Sequence, residues 1–549
     1  MSSKQEVRIW GLSHFSRSEN VNALFAFMNQ PGLLAFLAAA ILLLSSTVTQ
    51  ATSYYWSVST GDWSDAVNWG GTEPTSSDDA YIQNGGTATI TQTGEACDYL
   101  YLGASGTGNS GTIEMTGGNL SGGDYEYIGY SGTGTFTQTG GTNSTLGLFL
   151  GYNSGSTGTY NLSGTGQLST NSESIGSLYG TGTFTQTGGT NSTLGLFLGY
   201  TSGSTGAYNL SGTGQLSAVD EYIGEYGSGT FTQTGGINST KDLFLGDYSV
   251  STGTYNMSDM GQLSTANEYI GYSGAGTSKQ TGGTNSITYE LYLGYNSDSI
   301  GMYNLSGTGQ LSSDYESIGL SGTGTFTQTG GRNSITYDLY LGYNSGSSGT
   351  YNLSGMGQLS AVDEYIGSYG TGMFTQTGGT NSTLVLFIGG NSGSTGTYNL
   401  SSAGQLSAVV EYIGEYGTGT FTQTGGTNSI SSTLYLGYNS GSSGTYNLTS
   451  GTLILQSLEK GDGATAFNFG GGTLKASGTF PTSLPMTLTG DGGNANIDTA
   501  GYSATLSGVL SGAGGLNKLG SGSLTLSAAE TYSGNTAING GTLVFSGGI

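Results

Sequence analysis

The chain has 549 residues, among them 105 Gly, 38 Tyr and 18 Phe, and its 9 Lys and Arg stand against 34 Asp and Glu for a formal net charge of −25. A chain this acidic is repelled by a phosphate backbone, which excludes nucleic acid as a partner. With only 4 Pro and no Gly-X-Y triplet it is not collagen, and its aromatic content is too high for a flexible linker.

Residues 1–51 read as an export signal. Arg8 and Arg17 precede the apolar run from Gly32 to Leu44, and mostly small residues lead to Thr49-Gln50-Ala51, a cleavage site. The run of 13 residues is shorter than the ~20 that span a bilayer, so no membrane span is expected after signal removal. An uncleaved anchor is the alternative. The single histidine, His14, falls in this segment.

Residues 52–88 hold Trp56, Trp63 and Trp69, three of the four tryptophans. A stacked repeat has an open apolar end, and large aromatics cover it as a cap. The competing reading is a set of exposed indoles that stack on sugar rings.

Residues 89–450 are a repeat array. Gly-Thr-Phe-Thr-Gln-Thr-Gly-Gly places Phe at 136, 184, 231, 326, 374 and 421, with Ser278 in a seventh copy and Met373 replacing the first Thr at 374. Midway between copies, a string close to Gly-Thr-Tyr-Asn-Leu-Ser places Tyr at 160, 208, 255, 303, 351, 398 and 446. The unit is therefore about 24 residues, and Ile90 and Ile113 extend its register upstream to give 16 positions. Short alternating stretches between Gly, Ser, Thr and Asn clusters predict strands and turns, with no helical periodicity. Units of this size are rungs of a β-solenoid, each burying its apolar face against its neighbours. Sixteen rungs at ~4.8 Å make a stack roughly 75 Å long.

Alternation predicts that Phe136, Tyr160, Leu162, Ile128 and their equivalents point inward. The same alternation puts polar residues in inward slots. Gln138, 186, 233, 280, 328, 376 and 423 take the slot that is Leu or Met in the rungs between, and Glu126, 173, 221, 268, 316, 364 and 411 take a slot that is otherwise Leu. Buried polar groups are paired. The expectation is that Gln and Glu bond each other or cap turn amides; the alternative puts both at corners in water. Thr137 and Thr139 lie on the outer face in alternate rungs only, which dilutes any ice-ordering threonine lattice. Cys97, the only cysteine, can form no internal disulfide.

Past Tyr446 the short register breaks, and residues 451–549 form a separate strand-repeat region. Gly515-Leu-Asn-Lys-Leu-Gly-Ser-Gly-Ser-Leu-Thr-Leu-Ser527, followed by Thr531-Tyr-Ser-Gly-Asn-Thr-Ala-Ile-Asn-Gly-Gly-Thr-Leu543, sits within the stretch Leu506–Phe545. This stretch resembles the autotransporter-associated β-strand repeat proteins of bacterial surfaces. The resemblance implies a right-handed parallel β-helix outside the cell, secreted or on the outer surface, and carries no active site. A complete autotransporter ends in a translocating barrel; here the sequence stops at Ile549, inside or just after a repeat strand.

No enzyme signature survives inspection. Beyond residue 51 there is no histidine for a Ser-His-Asp triad or a His metal site. The cations there are Lys241, Lys279, Arg332, Lys460, Lys475 and Lys518, unclustered, whereas a polysaccharide lyase on this fold sets a basic residue beside acidic ones. Glutamates recurring every second rung stand about 10 Å apart, too far for one calcium ion to bridge, so weak surface binding is the most expected. No catalytic, cofactor or metal residue is assigned. The reading is a structural or adhesive β-solenoid whose partners are polysaccharide, cell-surface or envelope components. The alternative is a polysaccharide-binding or polysaccharide-degrading β-helix.

Overall fold

The computed structural model describes residues 51–547 except Thr107. The assigned export signal lies, but for Ala51, outside these residues. Among them there is no α-helix, only a 3-10 turn at Ala66–Trp69 and a long succession of strands whose pairings are parallel. They form a β-solenoid of about 21 turns with ~24-residue spacing.

One turn contains three strands. Thr133–Gln138 belongs to a first sheet, Thr142–Ser144 to a short second sheet and Gly147–Leu150 to a third. The next turn repeats them in register: Phe136 pairs with Tyr160, Asn143 with Leu168 and Leu148 with Glu173. The corner between third and first sheets needs glycine. Gly151 has φ +67°, and a Cβ on it would lie 2.1 Å from the Thr181 carbonyl oxygen. Gly158 keeps ordinary φ, yet its Cβ would meet the Ile128 oxygen at 2.0 Å. Two rungs therefore close on each other only where no side chain intervenes.

The inward assignments hold. Phe136, Tyr160, Ile128 and Leu148 are fully buried. The Phe and Tyr rings stack along the core, Phe136 on Tyr160 at 4.7 Å and Tyr160 on Phe184 at 4.9 Å, within 9° of parallel. Ser278 interrupts this column between Tyr255 and Tyr303.

The three N-terminal tryptophans are buried. Trp63 packs edge-on to Trp69 at 4.8 Å, Trp56 does so at 5.0 Å, and the Trp69 indole donates to the Trp63 carbonyl. All three pack inside the first rung and present no free face to a sugar.

The stack does not end at Tyr446. Phe467 stacks on Tyr446 at 5.3 Å and the parallel ladder continues. What changes is turn length: Ile497 pairs with Lys518 and Lys518 with Ile538, spacings of 21 and 20 residues. Shorter turns hide the repeat from a search at 24.

Candidate functional surface

The polar inward residues form an internal column. All seven glutamines and all seven glutamates are buried. Their partners differ from the expectation that they bond each other or cap amides. Gln138 Nε2 donates to the carbonyl oxygens of Gly141 and Gln167, both at 3.0 Å, while its Oε1 accepts from the Tyr160 hydroxyl at 2.7 Å. Asn143 Nδ2 donates to Glu126 Oε2 at 3.0 Å and to the Tyr160 hydroxyl at 3.2 Å. Gln therefore satisfies turn carbonyls, and Tyr with Asn joins it to Glu. The pattern recurs at Glu173, Asn191, Tyr208 and Gln186 and onward to Glu411, Asn428, Tyr446 and Gln423. It explains why Tyr alternates with Phe: each Tyr hydroxyl reaches the Gln of the rung before it.

Burial pushes these carboxyls up, Glu126 to about 7 and Glu221 to about 8, against the lowering effect of the Asn bond. Glu126 Oε1 and Asn143 Oδ1 both lack partners, as do the same atoms of Glu221 and Asn238, Glu364 and Asn381, and Glu411 and Asn428. A neutral carboxyl supplies the donor such acceptors lack; an ionised one adds another unmet acceptor. In other rungs a hydroxyl does this work, with Thr170 donating to Glu173 Oε1 at 3.1 Å. This column is structural: it is sealed from solvent.

The outer face of the third sheet carries a second aromatic ladder that sequence reasoning missed. Tyr55, Tyr81, Tyr101, Tyr127 and Phe149 stack successively at 4.5–5.2 Å. Ser174 interrupts them. Phe197, Tyr222, Phe244, Tyr269 and Tyr292 form a second run of five, and after Ser317, Tyr340, Tyr365, Phe387, Tyr412 and Tyr435 form a third. Their faces cover one another, so each half-buried ring shows an edge to solvent. Tyrosines on the adjoining turns, such as Tyr152 and Tyr295, meet the ladder edge-on. Beside the third run, Val362, Leu384 and Val409 are exposed. The signal is present in the sequence, in the Tyr, Phe or Ser that stands between two inward residues, Leu148 and Leu150 in one rung and Glu173 and Ile175 in the next.

Elsewhere, the outer threonines are denser than expected, because Thr133 and Thr135 and their partners Thr157 and Thr159 continue through both kinds of rung. Cys97 is buried and free. Lys241 pairs with Asp242 at 2.9 Å. Lys518 is buried and donates to Thr499 Oγ1 and to the carbonyl oxygens of Leu519, Gly520 and Gly540 at 2.7–3.0 Å. Among the described residues no group of three or more His, Cys, Asp or Glu could hold a metal ion, and no helix is long and apolar enough to cross a membrane.

Lys518 sits in residues 516–545, the segment that matches the passenger-associated-transport-repeat family. Over these residues the chain is similar to the repeats of autotransporter passengers. The repeat's lysine tethers successive turn carbonyls in this solenoid. A curated relative, the adhesin BmaC autotransporter of Brucella suis biovar 1 (strain 1330), is 40% identical over 82 residues, covering 15% of this chain and 2% of that adhesin. The match thus spans a very small part of the relative's length. No solved structure matches the chain.

Proposed function

We propose that this passenger-like solenoid is displayed on the cell surface or secreted, acts as an adhesive rod and performs no catalysis. The observation that carries the reading is the passenger-associated repeat in the last turns, with the adhesin-named relative in support. The outer aromatic ladder is the adhesive face: it runs along many rungs, offers apolar ring edges and borders exposed Val362, Leu384 and Val409. Extended apolar surface of this kind marks contact sites on soluble proteins. Polysaccharide, cell-surface or envelope components are its proposed partners, with no cofactor. The polysaccharide-degrading alternative is disfavoured by the cations: the six beyond residue 51 are unclustered in sequence, and of these Lys241 is tied to Asp242 and Lys518 is buried.

The test is adherence of intact cells. Deleting the gene lowers attachment to host or matrix surfaces, antibody to residues 52–549 labels unpermeabilised wild-type cells, and complementation restores both. Unlabelled cells with unchanged attachment would contradict the proposal.

A further inference from the structure

The tyrosines that flank the second run of the outer ladder are interrupted for two rungs. By register, the turn position occupied by Tyr200 is Glu225 in the next rung, Asp247 in the one after and Tyr272 in the fourth. The backbone fixes the order, with the Asp247 amide donating to the Gly224 carbonyl and the Tyr248 amide to that of Glu225, both at 3.0 Å. The two acids therefore occupy adjacent rungs, their backbones one interstrand spacing apart, ~4.8 Å, in a notch. Its floor is the ladder rings Tyr222 and Phe244, stacked at 4.9 Å. Tyr200 stands at one end, 5.5 Å from Phe197, and Tyr272 at the other, 5.4 Å edge-on from Phe244. Tyr226 and Tyr248, stacked at 3.8 Å, follow the two acids in sequence and form the rim.

Neither acid is provided for. Asp247 is nine-tenths buried and its carboxylate receives no hydrogen bond among the described residues, while Glu225 Oε2 is buried without a partner. The nearby cation, Lys241, is committed to Asp242. Desolvation raises both, Glu225 to about 8 with the Asp247 charge adding to the effect, and Asp247 to about 6.

The geometry points to a binding site for a primary alkylammonium group, held between the Glu225 and Asp247 carboxylates inside a frame of tyrosine and phenylalanine rings. The choice of ion follows from the donors and acceptors. Unpartnered carboxylate oxygens need N–H donors, which a quaternary ammonium lacks. Aromatic walls favour a cation on an apolar stem. Calcium takes six to eight oxygens, and no group of three or more acidic, histidine or cysteine residues is available among the described residues. This site does not depend on the adhesive reading of the ladder.

Residues 52–549 carrying ring-labelled tyrosine are titrated with n-butylammonium chloride at constant ionic strength and followed by NMR, with n-butanol and calcium chloride as separate arms. Saturable shifts confined to a few tyrosines are expected with butylammonium and absent with butanol. The paired substitution Glu225→Gln and Asp247→Asn weakens binding by about tenfold or more, and Tyr200→Leu, which leaves both acids intact, weakens it less. Glu415→Gln, which removes an acid at the same turn position in a distant rung, leaves it unchanged. Circular dichroism verifies that each variant is folded. Absence of saturable shifts, equal response to butanol, equal affinity in the paired variant, or tighter competing binding of calcium would each overturn the assignment; in the first case the two acids simply share a proton.

Discussion

Replacing Glu221 by Gln should stabilise this protein in alkaline solution and leave it nearly unchanged in acid. Glu221 is fully buried, and burial pushes its carboxyl from 4.5 to about 8. The folded chain therefore holds a proton there that the unfolded chain has released. Where the folded state binds more protons, stability falls as pH rises; here it falls from about pH 4.5 to about pH 8 and stays low above. At ~1.4 kcal/mol per pH unit the full span is about 5 kcal/mol, and relaxation with water entry on ionisation reduces the observable share to about 2–3 kcal/mol. The Gln carboxamide mimics the neutral acid: its oxygen still accepts from Asn238 Nδ2, and its NH₂ supplies a donor where Glu221 Oε1 and Asn238 Oδ1 both lack one. Urea unfolding of residues 52–549 at pH 5 and pH 9, followed by far-UV circular dichroism, reads the effect. Other raised acids, such as Glu415 at about 6, act in the same direction, so the difference between wild type and variant is the quantity to compare. A variant no more stable than wild type at pH 9, or a wild type that gains stability from pH 5 to pH 9, would refute the reasoning.

Two further outcomes are expected. Lys518→Met strands the carbonyl oxygens of Leu519, Gly520 and Gly540, costing about 2–4 kcal/mol in the last turns; limited proteolysis should cut there first, and an unchanged cleavage pattern would count against the tethering role. Ser278→Phe fills the gap between Tyr255 and Tyr303 in the core ring column, raising stability by about 1–3 kcal/mol; a lower thermal midpoint would mean that the neighbours have already closed the space.

Much of the fold is legible in the residues because a solenoid repeats every decision it makes. Phe136, Tyr160 and Ile128 recur at fixed spacing, and period-two alternation within each short strand assigns their direction. The internal column was harder. Asn143 and its equivalents recur beside Gly and Ser and so read as turn residues, although they take the inward slot that is Leu168 in the following rung. Without Asn, the Tyr–Gln contact and the buried Glu have no evident connection. The outer ladder and the Glu225–Asp247 notch were beyond the repeat analysis for another reason. Their meaning lies in what stacks above and below on the surface, where a Ser174 or an Asp247 is tolerated because the core does not depend on it. The shorter turns after Tyr446 escaped because the period changes while the stacking continues.

The most direct test of the adhesive account is binding of purified residues 52–549 to a panel of polysaccharides and to intact cells, beside a variant with Tyr365, Phe387 and Tyr412 all replaced by Ser, the residue that the ladder itself accepts at 174 and 317. The account predicts saturable binding by the wild type and a loss of about tenfold or more in a variant that remains folded and β-rich. Equal binding by both proteins, or no saturable binding by either, would contradict it.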